Sequence, residues 1–236
     1  IWIERMATLN ILSAGAAQAV VGHTMDVFRR ETGIEVAADF GAVGAMKAKA
    51  QSGAPVDVIV LTSTMIDELI ASGFVAAGRA DLGRVGTGVA VRAGVAIPDI
   101  ATADSLRAAL RAATVITFPD PAVATAGRIV MACLEKLAIA AEVKARLKFF
   151  PNGNAAMNWL AANGDARAIG ITQNTEILPI KGVMYVGPLP DAFQAKAMYS
   201  AGCVAKSTQR AAARDFVSRL TSPAAKPLLA AAGYEF

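Results

Sequence analysis

At 236 residues, 55% of them hydrophobic, the chain has room for one large domain or two of roughly 100 residues each. Gly, Pro and charged residues break every apolar run before the roughly 18–20 residues a membrane-spanning helix needs, so no membrane insertion is expected. The formal charge of +4 is scattered, with no basic stripe interleaved with aromatics, which argues against nucleic acid as a partner and is compatible with a small anion.

The run "LNILS" (9–13) predicts a strand, and "AQAVVGHTMDVFRRET" (17–32), with apolar residues spaced near 3.6, predicts a helix that stops at Gly33. A strand "IEVAADF" (34–40), a short helix "GAMKAKAQSG" (44–53), a strand "VDVIVLT" (56–62) and a helix "MIDELIASG" (65–73) follow. Residues 9–73 therefore read as β-α-β-α-β-α, which favours a parallel sheet covered by helices. The rhythm changes at "GRVGTGVAVRAG" (83–94), a longer strand. Next come a helix over 103–113 capped near Thr102 or Asp104, a strand 114–118, helices over 126–137 and 141–147, a strand 148–150 and a helix 155–164. Strands over 167–172, 183–190 and 196–205 precede a closing pair of helices, 210–222 and 224–233, free to return over the first sheet.

One strand-to-helix turn is unusual. Helix starts are commonly held by Ser, Thr, Asp or Asn side chains, yet the first turn offers Ala14, Gly15, Ala16 and Ala17. The turn "FGAVGAMK" repeats the pattern with Ala42, Val43 and Gly44, "PDPAVATAGRIV" with Thr125, Ala126 and Gly127, and "PNGNAAMN" with Asn152, Gly153 and Asn154. Helix N-termini carry free N–H donors and partial positive charge, and small residues let a ligand reach that backbone. In open α/β sheets ligands gather beyond the carboxyl ends of the strands. Such turns in two lobes would frame an anion site in a cleft. The competing explanation is that an Ala-rich chain has Ala at its helix starts as it has elsewhere. Neither "GAVGA" nor "AGAAQ" is a phosphate-binding loop or a dinucleotide fingerprint.

Cys133 and Cys203 read as buried apolar side chains, and His23 as a surface or packing residue, so this inventory builds neither a metal centre nor a Ser-His-Asp triad. No cofactor is expected. The opening "IWIER" is too short for a signal peptide. Either an export signal has been removed and the protein is periplasmic, or translation starts near Met6 and it is cytoplasmic.

Several stretches in the same order resemble the molybdate-binding, type II periplasmic solute-binding proteins of ABC importers. "FGAVGAMKAKAQSGAPVDVIVLT" is similar to their loop–helix–strand signature with its Gly-Ala-Pro-x-Asp, "FPDPAVATAGRIVMACLEKL" to their Asp-Pro turn, and "ANGDARAIGITQ" and "LTSPAAKPLLAAAGYEF" to their later motifs. The resemblance covers 8–236. It implies two lobes, each a mainly parallel sheet flanked by helices, joined by two hinge crossings near Gly86–Gly88 and Ser200–Gly202. The lobes would be 1–85 with 201–236, and 86–200.

The family's two Ser hydroxyls and Tyr fall, by this resemblance, on Ala16, on Val43 and on Gln173, so those hydroxyls and the phenol are missing while the backbone donors at Gly15, Ala17, Ala42, Gly44 and Ala126 remain. Thr62, Thr125, Asn154 and Gln173 would hold further ligand oxygens. Arg128 would pair with a carboxylate, or is a surface arginine. The expected function is binding of a small anion, a di- or tricarboxylate, by a monomer that serves an ABC permease. The segment "IGITQNTEILPIKGVMYVGPLPDAFQ" resembles a divergent branch that includes aconitate isomerase. A cofactor-free isomerase of an unsaturated tricarboxylate is therefore the alternative, and a molybdate or tungstate binder a third. An isomerase would need a base, for which His23, Asp120, Glu176 or a tyrosine are the candidates. Asp120 reads otherwise as a turn acceptor and Glu176 as a solvated helix residue.

Overall fold

The structure, a computed structural model, describes residues 8–236; the expectations for "IWIER" and Met6 lie outside them. The chain forms two compact units. One takes the described residues up to Arg84 together with Met198–Phe236, the other Val85–Ala197, so the chain passes between them twice.

In the first unit, β1 (Thr8–Ala14), α1 (Gln18–Thr32), β2 (Glu35–Gly41), α2 (Val43–Gln51), β3 (Val58–Thr62) and α3 (Ser63–Ala71) follow the predicted alternation. β1 pairs in parallel with both β2 and β3. Strand β4 (Ala80–Val85), strand β10 (Ala197–Cys203) and a short β11 (Tyr234–Glu235) complete a six-stranded sheet in the order β11-β4-β10-β3-β1-β2, with β10 antiparallel to β3. The closing helices, α9 (Arg210–Thr221) and α10 (Lys226–Ala231), belong to this unit. Phe216 of α9 meets Phe28 of α1 edge to face at 5.5 Å, and both rings are fully buried, so this contact covers one face of the sheet with helices distant in sequence.

Asp57 explains the Gly-Ala-Pro-x-Asp motif in structural terms. Its buried carboxylate accepts the Asn10 N–H at 2.8 Å and the Ser207 hydroxyl at 2.6 Å, tying the region before β3 to β1 and to the segment after β10.

The second unit contains β5 (Thr87–Arg92), α4 (Ala103–Ala112), β6 (Ile116–Pro119), α5 (Thr125–Lys136), α6 (Ala140–Val143), β7 (Leu147–Phe150), α7 (Gly153–Asn163), β8 (Ile169–Gln173), α8 (Asn174–Ile177) and β9 (Val183–Pro188). Its five strands run in the order β7-β6-β8-β5-β9. β7, β6 and β8 are parallel, and β5 is antiparallel to both β8 and β9. Both sheets are therefore mixed, each built on three contiguous parallel strands. Alternation along β5 serves two cores: Val89 and Val91 pack with Leu106, Phe118 and Leu134 on one face, and Ala90 with Met157, Leu160 and Ile177 on the other.

The single strand predicted over 83–94 is two. β4 hydrogen-bonds into the first sheet and β5 into the second, with Gly86 between them. An extended, alternating run carries no record of which sheet receives it. α8 and β11, both too short for a period to show, are additions to the elements predicted from sequence.

Candidate functional site

The parallel strands bring the unusual turns together within each unit. In the first, Ala14 and Gly41 are register partners at the carboxyl ends of β1 and β2, and Ser13 faces Val60 two residues before β3 ends. The starts of α1, α2 and α3 thus share one sheet edge. A 3-10 turn of Gly15, Ala16 and Ala17 leads into α1. The residue preceding α2 is Ala42, Val43 and Gly44 open that helix, and Thr62 precedes α3. None of these starts has a side-chain cap, and none has an acidic residue in its first turn. Their positive ends are uncompensated by neighbouring side chains of the same helix. Gly15, Ala16, Ala17, Ala42 and Val43 are buried and Thr62 is half-buried. The Tyr234 hydroxyl donates to the Ala16 carbonyl at 3.1 Å, so β11 fixes the first turn from below.

In the second unit Pro119 is the partner of Phe150, and Ile116 that of Ile169, which places the turns after β6, β7 and β8 at one edge. The Asp120 carboxylate accepts the Ala122 N–H at 2.9 Å, the turn-acceptor role expected of it. α5 then begins at Thr125 with Ala124 before it and no side-chain cap. Gly127 is required here, since a Cβ would lie 2.2 Å from the Pro119 carbonyl oxygen and 2.7 Å from the Pro121 backbone. Ala126 is buried, while Arg128 is exposed and donates to the Thr125 hydroxyl at 3.3 Å. His23 is exposed on α1 in the other unit.

The start of α7 differs from the others. The Asn152 side chain accepts the Ala155 N–H at 2.8 Å. The Glu176 carboxylate accepts the backbone N–H groups of Gly153 and Gln173 and, at 2.6 Å, the Thr172 hydroxyl. A Cβ at Gly153 would sit 2.0 Å from Glu176 Oε2, so glycine alone lets this carboxylate reach the helix end. Asn154 stands half-buried one residue on. Glu176 is thus not the solvated helix residue expected from sequence: it is buried at 6% exposure on α8, because its helix lies against α7 and β8. Burial pushes its carboxyl up from 4.5 to about 6, against the opposing pull of its three hydrogen bonds.

That shift has a sign. The folded state holds the Glu176 proton more tightly than the unfolded chain, so its stabilising contribution is complete below pH 4.5 and is lost as pH rises through 6. Glu176→Gln should therefore gain about 2 kcal/mol relative to the wild type between pH 4.5 and 7, read by urea unfolding across that range. A constant difference between the two proteins would contradict it.

Next to Glu176 lies a set of buried polar side chains with no hydrogen-bond partner: both amide atoms of Gln173, Asn174 Oδ1, and the hydroxyls of Thr87 and Thr175. Gln173 is 1% exposed and is the register partner of Thr87. The Thr87 backbone is itself held by Gln194, whose amide accepts the Thr87 N–H at 2.8 Å and donates to its carbonyl at 2.9 Å, imitating a neighbouring strand. Sequence reasoning reached Gln173 and missed Thr87, Asn174, Thr175 and Gln194. The one available signal was the polar run Gln173–Asn174–Thr175 directly after an apolar strand. Buried groups without partners cost stability, and a ligand able to donate and accept would satisfy them. Among the described residues no three His, Cys, Asp or Glu side chains are grouped to hold a metal ion.

Two units of mixed sheet, each offering its helix starts at the carboxyl ends of parallel strands, define the type II periplasmic-binding-protein class. The chain superimposes on the periplasmic molybdate-binding protein of Azotobacter vinelandii with a TM-score of 0.80 at 20% identity, over 97% of this chain and 99% of that one. It superimposes on the sulfate-binding protein SubI of Mycobacterium tuberculosis H37Rv with a TM-score of 0.76 at 19% identity, over 97% and 86%. Residues 9–235 match the bacterial extracellular solute-binding protein family, and the chain belongs to it. It is also 28% identical over 228 residues to the aconitate isomerase of a Pseudomonas species, covering 93% of this chain and 84% of that protein.

Proposed function

We propose that the chain binds a small organic anion, a di- or tricarboxylate, as a solute-binding protein that delivers it to an ABC permease from outside the cytoplasmic membrane. The observations that carry this are, in the first unit, the starts of α1, α2 and α3 and, in the second, the start of α5, which have neither side-chain caps nor first-turn acids, and, within the second unit, the buried unpartnered Gln173 amide. The named ligands of its structural neighbours, molybdate and sulfate, are small anions as well. A carboxylate suits this chain better than a tetrahedral oxyanion because Ala16 and Val43 supply no hydroxyl, and each hydroxyl bond to a charged group is worth about 1.5–3 kcal/mol. Thr62, Thr125, Asn154 and Arg128 are the further side chains proposed to hold ligand oxygens.

A thermal-shift screen of citrate, cis-aconitate, trans-aconitate, sulfate and molybdate tests this. A carboxylate at a hundred times its Kd should add about 2.7 kcal/mol of stability, a rise of roughly 5–10 °C for a chain of this size. Sub-micromolar molybdate binding without any carboxylate response would overturn it.

The likeness to an aconitate isomerase supports a second reading, isomerisation of an unsaturated tricarboxylate. That reaction removes a proton from one end of an allylic unit and returns one to the other, with no oxidant or reductant. Binding ranks first because Asp120 and Glu176 are both engaged in hydrogen bonds of the fold. Incubation with cis-aconitate in heavy water, followed by proton NMR, separates the two: interconversion or deuterium uptake above a heat-killed control would put the isomerase first.

A further inference from the structure

We propose that Glu176 is an internal anion occupying the start of α7, and that binding of an external carboxylate beside it is coupled to uptake of a proton by Glu176. The inference rests on the carboxylate-binding reading above and adds to it a regulation of the same site. Three observations within the second unit support it. The Glu176 carboxylate already takes the Gly153 and Gln173 N–H groups, the kind of donors an external anion would use. The absence of a Cβ at Gly153 is what admits it. And the Gln173 side chain, buried and unpartnered, belongs to the residue whose own N–H Glu176 holds.

Among the described residues, no cation on the elements packed most closely on α8 lies against the Glu176 carboxylate. Of the elements packed on α8, α7 and β8 contain no ionisable side chain. β9 contributes only the Tyr185 phenol, and β5 only Arg92, exposed at the opposite end of the strand from Thr87. Burial and the three hydrogen bonds set the proton affinity of Glu176, with no charged side chain contributing. Near neutral pH the carboxylate is ionised, so an incoming carboxylate meets a buried like charge, and a proton from solvent relieves the repulsion. The balance is simple: ligand carboxylate, Glu176 carboxylate and one hydronium give bound ligand, the neutral acid and water. The fold accommodates the neutral form, since the Thr172 hydroxyl can turn from donor to acceptor while the second oxygen keeps an N–H.

The test is calorimetric titration of the full chain with cis-aconitate from pH 6.5 to 8.0, in buffers of differing ionisation enthalpy, for wild type and Glu176→Gln. Protonation of the ligand itself is common to both proteins, so the difference belongs to Glu176. The wild type should take up more protons per ligand than the variant, by up to about one. Its affinity should fall roughly three- to tenfold more per pH unit. Thr172→Val is the second variant, valid even if Glu176→Gln does not fold. Losing the hydroxyl that favours the charged form should move the onset of proton uptake to higher pH. Equal proton counts and equal pH slopes in the wild type and the variants overturn the coupling and leave the binding reading intact. No heat with cis-aconitate, citrate or trans-aconitate in any of the proteins overturns both.

Discussion

A Gln173→Leu chain should bind cis-aconitate at least tenfold more weakly than the wild type while its ligand-free form unfolds at a higher temperature. The two effects have one cause. Gln173 buries an amide whose nitrogen and oxygen both lack partners, and leaving such a group buried costs about 1–3 kcal/mol. Leucine has similar size and no polar atoms, so the ligand-free protein gains about 1 kcal/mol, roughly 2–4 °C in Tm. The bound state loses hydrogen bonds to a charged ligand, about 1.5–3 kcal/mol for each, or ten- to a hundredfold in Kd. Opposite signs separate a binding residue from a packing residue, for which stability and affinity would fall together. A variant less stable than the wild type, or one that binds unchanged, would contradict the assignment. The Tm measurement stands whichever ligand the protein takes.

Gly127→Ala should cost about 3 kcal/mol and lower Tm by roughly 6–12 °C. The new Cβ meets the Pro119 carbonyl oxygen at 2.2 Å and the Pro121 backbone at 2.7 Å. All three contacts are backbone, so no side chain can rotate away and α5 must move off the end of β6. That movement carries Thr125 and Ala126 with it, so ligand affinity should fall as well. Gly22→Ala is the control. Gly22 lies inside α1 with nothing within 4 Å of its would-be Cβ, and a helical glycine replaced there gains about 0.5–1 kcal/mol. A Tm change below 2 °C in Gly127→Ala would mean that the helix end is not held as tightly as this packing requires.

Much of this protein can be read along the chain. The apolar spacing that ends at Gly33 and the alternation of strands and helices through residue 73 follow from periods of 3.6 and 2, which are local properties. The Thr102 cap is equally local: its hydroxyl accepts the Ser105 N–H at 3.1 Å, and the Ser105 hydroxyl accepts the Thr102 N–H at 3.0 Å. The missing caps before α1 and α2 were visible as Ala14–Ala17 and Ala42, because a cap is a matter of which residue stands at one position. Ordered motifs along the chain also carried the family and with it the two-unit fold.

Long-range pairing decided the rest. The run over 83–94 is divided between two sheets because hydrogen-bond partners, not alternation, determine where a strand belongs. Glu176 looks solvated in "QNTEIL", yet it is buried because α7 begins 23 residues upstream with a glycine at its first position. The Thr87–Gln173 pair joins residues 86 positions apart through the β5–β8 register. By itself the sequence determined the strand–helix alternation through residue 73, the family and the uncapped starts of α1 and α2, since each depends on neighbours along the chain. Only the tertiary structure decided that the α7 start is filled from within while the Gln173 amide and the Thr87 hydroxyl lie buried without partners, because burial and charge environment are properties of what packs around a residue.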